Sequence, residues 1–251
     1  MPSSSSPEPR PRVGVSVVVA VKDEVQAIVG LIAEIVAAMG PGDDYEIVIV
    51  DDGSTDGTLA ALKRVQAREP RLHIRCHRLN CGQSAAVCTG VRSANGSLIV
   101  TLDGDGQNDP ADIPRLLAAY RAAAPGERIR LVTGRRAKRR DVWIKRVSSR
   151  VANAVRGWVL NDRSRDSACG LKVVDREVFL QLPYFNHMHR FLPALVRREG
   201  YEVLAVDVNH RHRATGVSKY GTWDRLSAGI VDLAGVAWLQ ARRAAPEIIE
   251  P

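Results

Sequence analysis

Short runs of apolar residues, each handing over abruptly to acids or turn residues, constrain this chain more than any other feature. Val13–Val21 (VGVSVVVAV) is one such run, Ile47–Val50 a second, Leu72–Arg75 a third and Leu98–Leu102 a fourth. A strand with one wet face alternates polar and apolar residues, whereas a continuous run belongs to a strand buried on both faces. Between the runs the apolar spacing becomes that of helices: Ile28, Leu31, Ile35 and Ala38, then Leu59, Leu62 and Val65, then the segment Ser84–Ala94. Gly40-Pro41-Gly42 closes the first of these. Strands and helices alternating at this length predict an α/β fold, a mostly parallel central sheet with helices on both faces in the Rossmann-like manner.

That architecture says where to look. In open sheets of this kind the ligand lies beyond the carboxyl ends of the strands, at the topological switch point. Asp23-Glu24 follow the first run, Asp51-Asp52 the second, and Asp103 and Asp105 the fourth. One acid at a strand end is an ordinary turn residue; acids at three ends that converge make a site. In Asp103-Gly104-Asp105-Gly106-Gln107 two carboxylates and an amide sit at alternate positions, which extended backbone points the same way. The glycines between them let the chain approach a ligand closely. Hard oxygens of this kind suit Mg2+ or Mn2+ bridging a diphosphate. An Asp-x-Asp pair alone is also common in surface turns.

The charge is unevenly placed. Of a formal +8, the segment 135–150 carries eight bases (Arg135, Arg136, Lys138, Arg139, Arg140, Lys145, Arg146, Arg150) against the single acid Asp141. Such a block seeks phosphate, in nucleic acid, an anionic membrane or a diphosphate substrate, unless it is simply a solvated loop. No helix-turn-helix, finger or aromatic RNA-binding pattern accompanies it, so a basic nucleic-acid-binding protein is the alternative of another class. Cys76, Cys81, Cys88 and Cys169 are too few and too irregular for a disulfide framework and fit a reducing, cytoplasmic setting. His73, Cys76, His77 and Cys81 lie close together, but their spacing matches no zinc finger or ribbon. Residues 1–11, rich in serine and proline, read as a disordered tail with no secretory leader in it. No run approaches the roughly 20 apolar residues of a spanning helix.

In order along the chain, VVVAVKDE (17–24), YEIVIVDDGSTDGT (45–58), SLIVTLDGDGQNDPADIP (97–114) and HRATGVSKYG (212–221) resemble the dolichyl-phosphate mannose synthase group of family-two glycosyltransferases. The resemblance runs from about Val13 to Gly221 and implies a GT-A domain over residues 12–221. It also implies roles. Ala20, Lys22 and Glu24 would line the nucleotide pocket, Ala20 and Asp23 departing from the family's usual Pro and Asn. Asp52 would contact the base or ribose. Asp103 and Gly104 would meet the donor, and Asp103, Asp105 and Gln107 would hold the metal. Glycine at 104 and 106 stands where bulkier residues are common. Arg213, Ser218 and Lys219 match an Arg-x-x-Gly-x-Ser-Lys element that clamps phosphates over the closed site. Arg135 and the basic run resemble the acceptor loop, and Arg150 and Asn153 a helix near the lipid phosphate. Asp166 resembles the acid of an Asp-x-x-x-Gly loop facing the sugar; a helix cap or turn acid is its other reading.

The activity so implied is inverting transfer of a hexose, mannose first, from a nucleotide-diphosphate sugar (GDP-mannose or a UDP-hexose) to a polyprenyl or dolichyl phosphate. The residues themselves favour a phosphate acceptor. A hydroxyl needs a general base, whereas a phosphate monoester, with a second pKa of about 6, is already dianionic near neutrality. The chain offers many bases and no obvious Glu-Asp pair in its second half. Transfer to a saccharide or protein hydroxyl is the alternative within enzymes. Residues 222–245 read as an amphipathic helix with Leu226, Ile230, Leu233 and Ala237 on one stripe and Trp223 and Trp238 near its ends. It would lie on an anionic membrane surface, or pack on the domain or in a homodimer contact. The expected location is cytoplasmic, at the membrane periphery.

Overall fold

A computed structural model describes residues 13–123, 127–136, 157, 160, 169–211 and 222–244. The chain alternates strand and helix through β1 (Val15–Val21), α1 (Ile28–Met39), β2 (Tyr45–Asp51), α2 (Thr58–Gln66), β3 (Leu72–Cys76), α3 (Gln83–Ser93) and β4 (Leu98–Asp103). There follow α4 (Ile113–Arg121), β5 (Ile129–Arg136), β6 (Lys172–Asp175), α5 (Arg176–Gln181), α6 (Leu192–Arg198), β7 (Glu202–Val208) and α7 (Thr222–Ala241). The expected elements of the first half are present within a residue or two of their sequence positions.

The strands form one seven-stranded sheet in the order β3-β2-β1-β4-β6-β5-β7. β3, β2, β1 and β4 are parallel, as is the β5–β7 pair, while β6 runs antiparallel to both its neighbours. The sheet is therefore mostly parallel, as expected, with one reversed strand that no periodicity announced. Burial explains the apolar runs. Val17 and Val19 point into one core with Ile47, Ile49, Leu31 and Leu62, while Val18 and Val48 point into a second with Val87 and Val91 of α3. Every residue of β2 is buried. A strand between two helical layers has no face left for polar side chains.

Among the described residues, the one buried acid at the amino ends of the strands is fully engaged. Glu46 accepts from Ser16 Oγ at 2.6 Å, from the Asn95 N–H at 2.6 Å and from Asn95 Nδ2 at 2.8 Å. This knot fixes β1, β2 and the start of β4 relative to one another and leaves the opposite end of the sheet for ligands. α7 packs on α6, with Arg198 Nε donating to the Leu239 carbonyl at 2.9 Å. Its inner residues are Leu233, Val236, Ala237 and Leu239. Ile230, on one stripe with Leu233 and Ala237 in sequence, is 62% exposed.

Candidate active site

Register brings the strand ends together. Val21 pairs with Asp51 across the β1–β2 seam and Ala20 pairs with Asp103 across the β1–β4 seam, so Lys22, Asp52 and Gly104 emerge side by side. β1 is the switch point, with β2 on one side and β4 on the other. The loops after β1 and β2 are then stitched to each other. The Asp23 N–H donates to Ser54 Oγ at 2.8 Å and Asp23 Oδ1 accepts the Thr55 N–H at 2.7 Å. The Glu24 N–H donates to Thr58 Oγ1 at 3.0 Å, and Lys22 Nζ donates to the Gly53 carbonyl at 3.1 Å. Asp23 holds a left-handed φ of 51°, a conformation that this double bond to the facing loop keeps in place.

Asp52 is buried and its carboxylate is engaged within the protein. Oδ1 accepts the Cys81 N–H at 2.8 Å and lies 2.7 Å from His77 Nδ1; Oδ2 accepts the Gly82 N–H at 2.8 Å. The residue expected to meet the base or ribose thus anchors the loop that leads into α3. Of the four His and Cys residues that lie together in sequence, the fold gathers only His77 and Cys81 here, their ligating atoms and a carboxylate oxygen of Asp52 lying within 4.8 Å of one another. His73 turns instead toward Glu46, 3.5 Å away.

The loop after β4 carries the acid pair. Asp103 Oδ1 accepts from Gln83 Nε2 at 2.6 Å, at the first turn of α3. Its other oxygen lies against Gly170, where a Cβ would sit 2.3 Å from Oδ2. Burial first, and the Asp105 carboxylate next, push Asp103 above the usual carboxylate range, while Lys172 and the Gln83 hydrogen bond pull it back. Asp105 Oδ1 accepts the Gln107 N–H at 3.1 Å, which turns the loop on itself. A Cβ at Gly104 would lie 2.5 Å from Val21 Cγ1 and 3.0 Å from the Ala20 carbonyl oxygen, so the bulkier residues common at this position have no room against β1. Two hard carboxylates near enough for one to raise the other, with Gln107 two residues on in the same loop, are a donor set that fits Mg2+ or Mn2+.

Beside Asp103 opens a cavity of about 300 Å3 lined in part by Gln83, Thr101, Asp103, Lys172, His189 and Arg190. Lys172, buried in the reversed strand, sits in register with Thr101 on β4 and Thr133 on β5, and its Nζ donates to the Cys169 carbonyl. His189 is held by Ser84, and burial first, then the Arg190 and Lys172 charges, drive its pKa down to about 3. Gln83, Lys172, His189 and Arg190 were not anticipated. A lysine inside the apolar run Leu171-Lys172-Val173-Val174, and two bases between Met188 and Phe191, were the available signals.

Of the other expected site residues, Arg135 lies next to the last residue of β5, with its Nε donating to Asp207 Oδ1 at 2.6 Å. Arg150, Asn153, Asp166, Arg213, Ser218 and Lys219 lie outside the described residues. The segment leading to residue 211 does reach the acid loop: the Arg211 N–H donates to the Gln107 carbonyl at 2.9 Å, and its guanidinium to Asp109 Oδ1 at 2.7 Å.

Known proteins resemble this chain in sequence and in fold. The family described as glycosyl transferase family 2 matches residues 16–179. A dodecaprenyl-phosphate galacturonate synthase of Rhizobium johnstonii is 35% identical over 237 residues, covering 92% of this chain and 68% of that protein. An undecaprenyl-phosphate 4-deoxy-4-formamido-L-arabinose transferase of Enterobacter sp. (strain 638) is 34% identical over 82% of this chain and 62% of its own length. This chain therefore spans roughly two thirds of such relatives. Among solved structures, a mannosyltransferase of Pyrobaculum calidifontis in complex with GDP-Man and Mn2+ superposes with a TM-score of 0.65 at 21% identity, over 98% of this chain and 69% of that one. Glucosyl-3-phosphoglycerate synthase of Mycobacterium tuberculosis with Mg2+ and UDP gives 0.65 at 18% identity, over 91% and 79%. These likenesses establish the GT-A fold.

Proposed function

The chain belongs to glycosyl transferase family 2, and from that membership we propose that it moves a sugar from a nucleotide-diphosphate donor onto the phosphate of a polyprenyl lipid. The observation that carries the proposal is the Asp103–Asp105 pair at the sheet switch point, beside a cavity with Lys172 and Arg190 in its wall. The sugar is of the kind named for the relatives, galacturonate first; mannose, the expectation from motifs alone, has no support among those relatives.

Asp103, Asp105 and Gln107 would hold Mg2+ or Mn2+, and such an ion supplies charge neutralisation on the departing nucleotide diphosphate. The chain's own residues do the rest. Gln83 fixes Asp103 in one rotamer through the 2.6 Å bond, and Gly170 and Gly104 hold the backbone close on either side. Lys172 and Arg190 place positive charge where the acceptor phosphate and the reacting sugar meet, which orients an anion without accepting its proton. An acceptor already dianionic needs no base, and no acid in the described cavity besides Asp103 competes for one. Direct displacement then inverts the anomeric centre, giving a β-linked product from an α-linked donor. Arg213, Ser218 and Lys219 close over the phosphates and Asp166 faces the sugar in this reading, and Arg135, Arg150 and Asn153 serve the lipid phosphate.

The lipid acceptor places the protein at a membrane surface. Among the described residues no helix is long and apolar enough to cross a bilayer. The outer face of α7, with Ile230, Val231 and Trp238 all at least 60% exposed, is the surface we assign to that contact.

The test is transfer of labelled sugar into an organic-extractable product, with undecaprenyl phosphate as acceptor and UDP-galacturonate, UDP-glucose and GDP-mannose as donors. Mg2+, Mn2+ and a chelator form the metal arms. Metal-dependent labelling that disappears in Asp105→Ala supports the reading. Labelling of a hydroxyl acceptor but never of lipid phosphate would overturn the acceptor assignment, and an α-linked product by NMR would overturn inversion.

A further inference from the structure

One side chain in the cavity wall is built as a hydrogen-bond donor and has no part in the scheme above. The His189 backbone N–H donates to Ser84 Oγ at 3.3 Å, and the same oxygen lies 2.7 Å from His189 Nδ1. Among the described residues Nδ1 is the acceptor within reach of the Ser84 hydroxyl, so the O–H donates to it. Burial drives the His189 pKa down to about 3, so the ring is neutral near pH 7. With Nδ1 accepting, the one ring proton of the neutral form sits on Nε2. Nε2 has no hydrogen-bonding partner within the described protein, and the ring lines the cavity alongside Asp103, Lys172 and Gln83.

We propose that His189 is a specificity-determining residue for the donor sugar, its Nε2–H donating to a hydroxyl or carboxylate oxygen of the sugar in the cavity. The inference rests on the donor-binding reading of the site. Ser84 makes it specific: it fixes which nitrogen carries the proton, and it belongs to the same first turn of α3 from which Gln83 holds Asp103. One turn of helix thus holds both the acid and the neutral donor that line the cavity. A neutral, fixed donor suits selection by the position of an oxygen, because a substrate lacking that oxygen leaves a buried N–H unpaired. Diphosphate recognition would call for cations instead.

The experiment is calorimetric binding of UDP, UDP-glucose and UDP-galacturonate, with Mn2+, to the full chain and to its His189→Ala and His189→Gln variants. In His189→Ala the affinity for at least one UDP-sugar falls about tenfold while that for UDP is unchanged. His189→Gln, which keeps an N–H donor at similar reach and disturbs packing less, retains more of that affinity. UDP-sugar affinities equal to wild type in both variants overturn the inference. So does a loss shared equally by UDP and the UDP-sugars, since the residue would then act on the fold or the phosphates. If the wild-type chain binds none of these three nucleotides and no GDP-mannose either, the donor reading itself fails, and this inference with it.

Discussion

At His189 protonation and folding are coupled. Its folded pKa of about 3 lies below the ordinary 6.5, so between those values the unfolded chain binds the proton and the folded one does not. Stability therefore falls as pH falls through that window, by roughly 1.4 kcal/mol per pH unit at most from this group. Urea titrations from pH 7 to 4 should show a shallower decline in His189→Gln than in wild type; parallel declines would mean that the histidine is as solvated folded as unfolded. Gly170 makes a second prediction at this scale. A Cβ there would meet Asp103 Oδ2 at 2.3 Å and Asn108 Oδ1 at 2.7 Å, so Gly170→Ala must displace the acid. Transfer should drop on the order of a hundredfold, with stability lowered by about 1–3 kcal/mol. Gly170 was legible only as the glycine of the Asp-x-x-x-Gly loop and His189 not at all, because each matters through what another element places against it.

Among the elements, α3 has the tightest constraint. Gly90 lies so close to β1 that a Cβ would come within 2.4 Å of Val18 Cγ1. Gly90→Ala should lower the urea midpoint, an overpacking loss of about 1–3 kcal/mol outweighing the roughly 1 kcal/mol gain in helix propensity. Gly30 in α1 is the control, since a Cβ there would meet nothing within 4 Å and Gly30→Ala should stabilise. An unchanged midpoint in Gly90→Ala would mean that α3 can lift from the sheet, and with it Gln83 and Ser84. The helices themselves were readable from spacing. Their separation from the sheet was not: nothing in QSAAVCTGVRS distinguishes a glycine pressed on a strand from one in solvent.

For the whole molecule, the two ends of the sheet have different work. The amino end is closed by the Glu46 knot, and the carboxyl end is open at the site. α7 lies on the side of the second core and presents Ile230, Val231 and Trp238 outward, with the Arg242 guanidinium 6.0 Å from the Trp238 ring centroid. If this face meets lipid, the protein should sediment with vesicles containing anionic phospholipid. Trp238→Ala and Val231→Ser should each weaken that binding without changing UDP affinity, and added salt should weaken it further. Equal sedimentation of wild type and both variants would remove α7 from the contact.

By itself the sequence determined the parallel half of the sheet, the helices packed on it and the strand ends at which acids gather. Burial on both faces leaves a local mark, an unbroken apolar run, and strand ends leave another, an abrupt acid. Only the tertiary structure decided what those acids are joined to. Asp52, an expected nucleotide contact, also accepts the Cys81 and Gly82 amides, because β2 ends where the loop before α3 crosses it. The reversed strand β6 delivers Lys172 to the cavity from far along the chain, and the turn before α6 delivers His189 to Ser84 across 105 positions of sequence. Periodicity carries no record of such meetings: they depend on how separate elements pack, and packing is a property of pairs of segments.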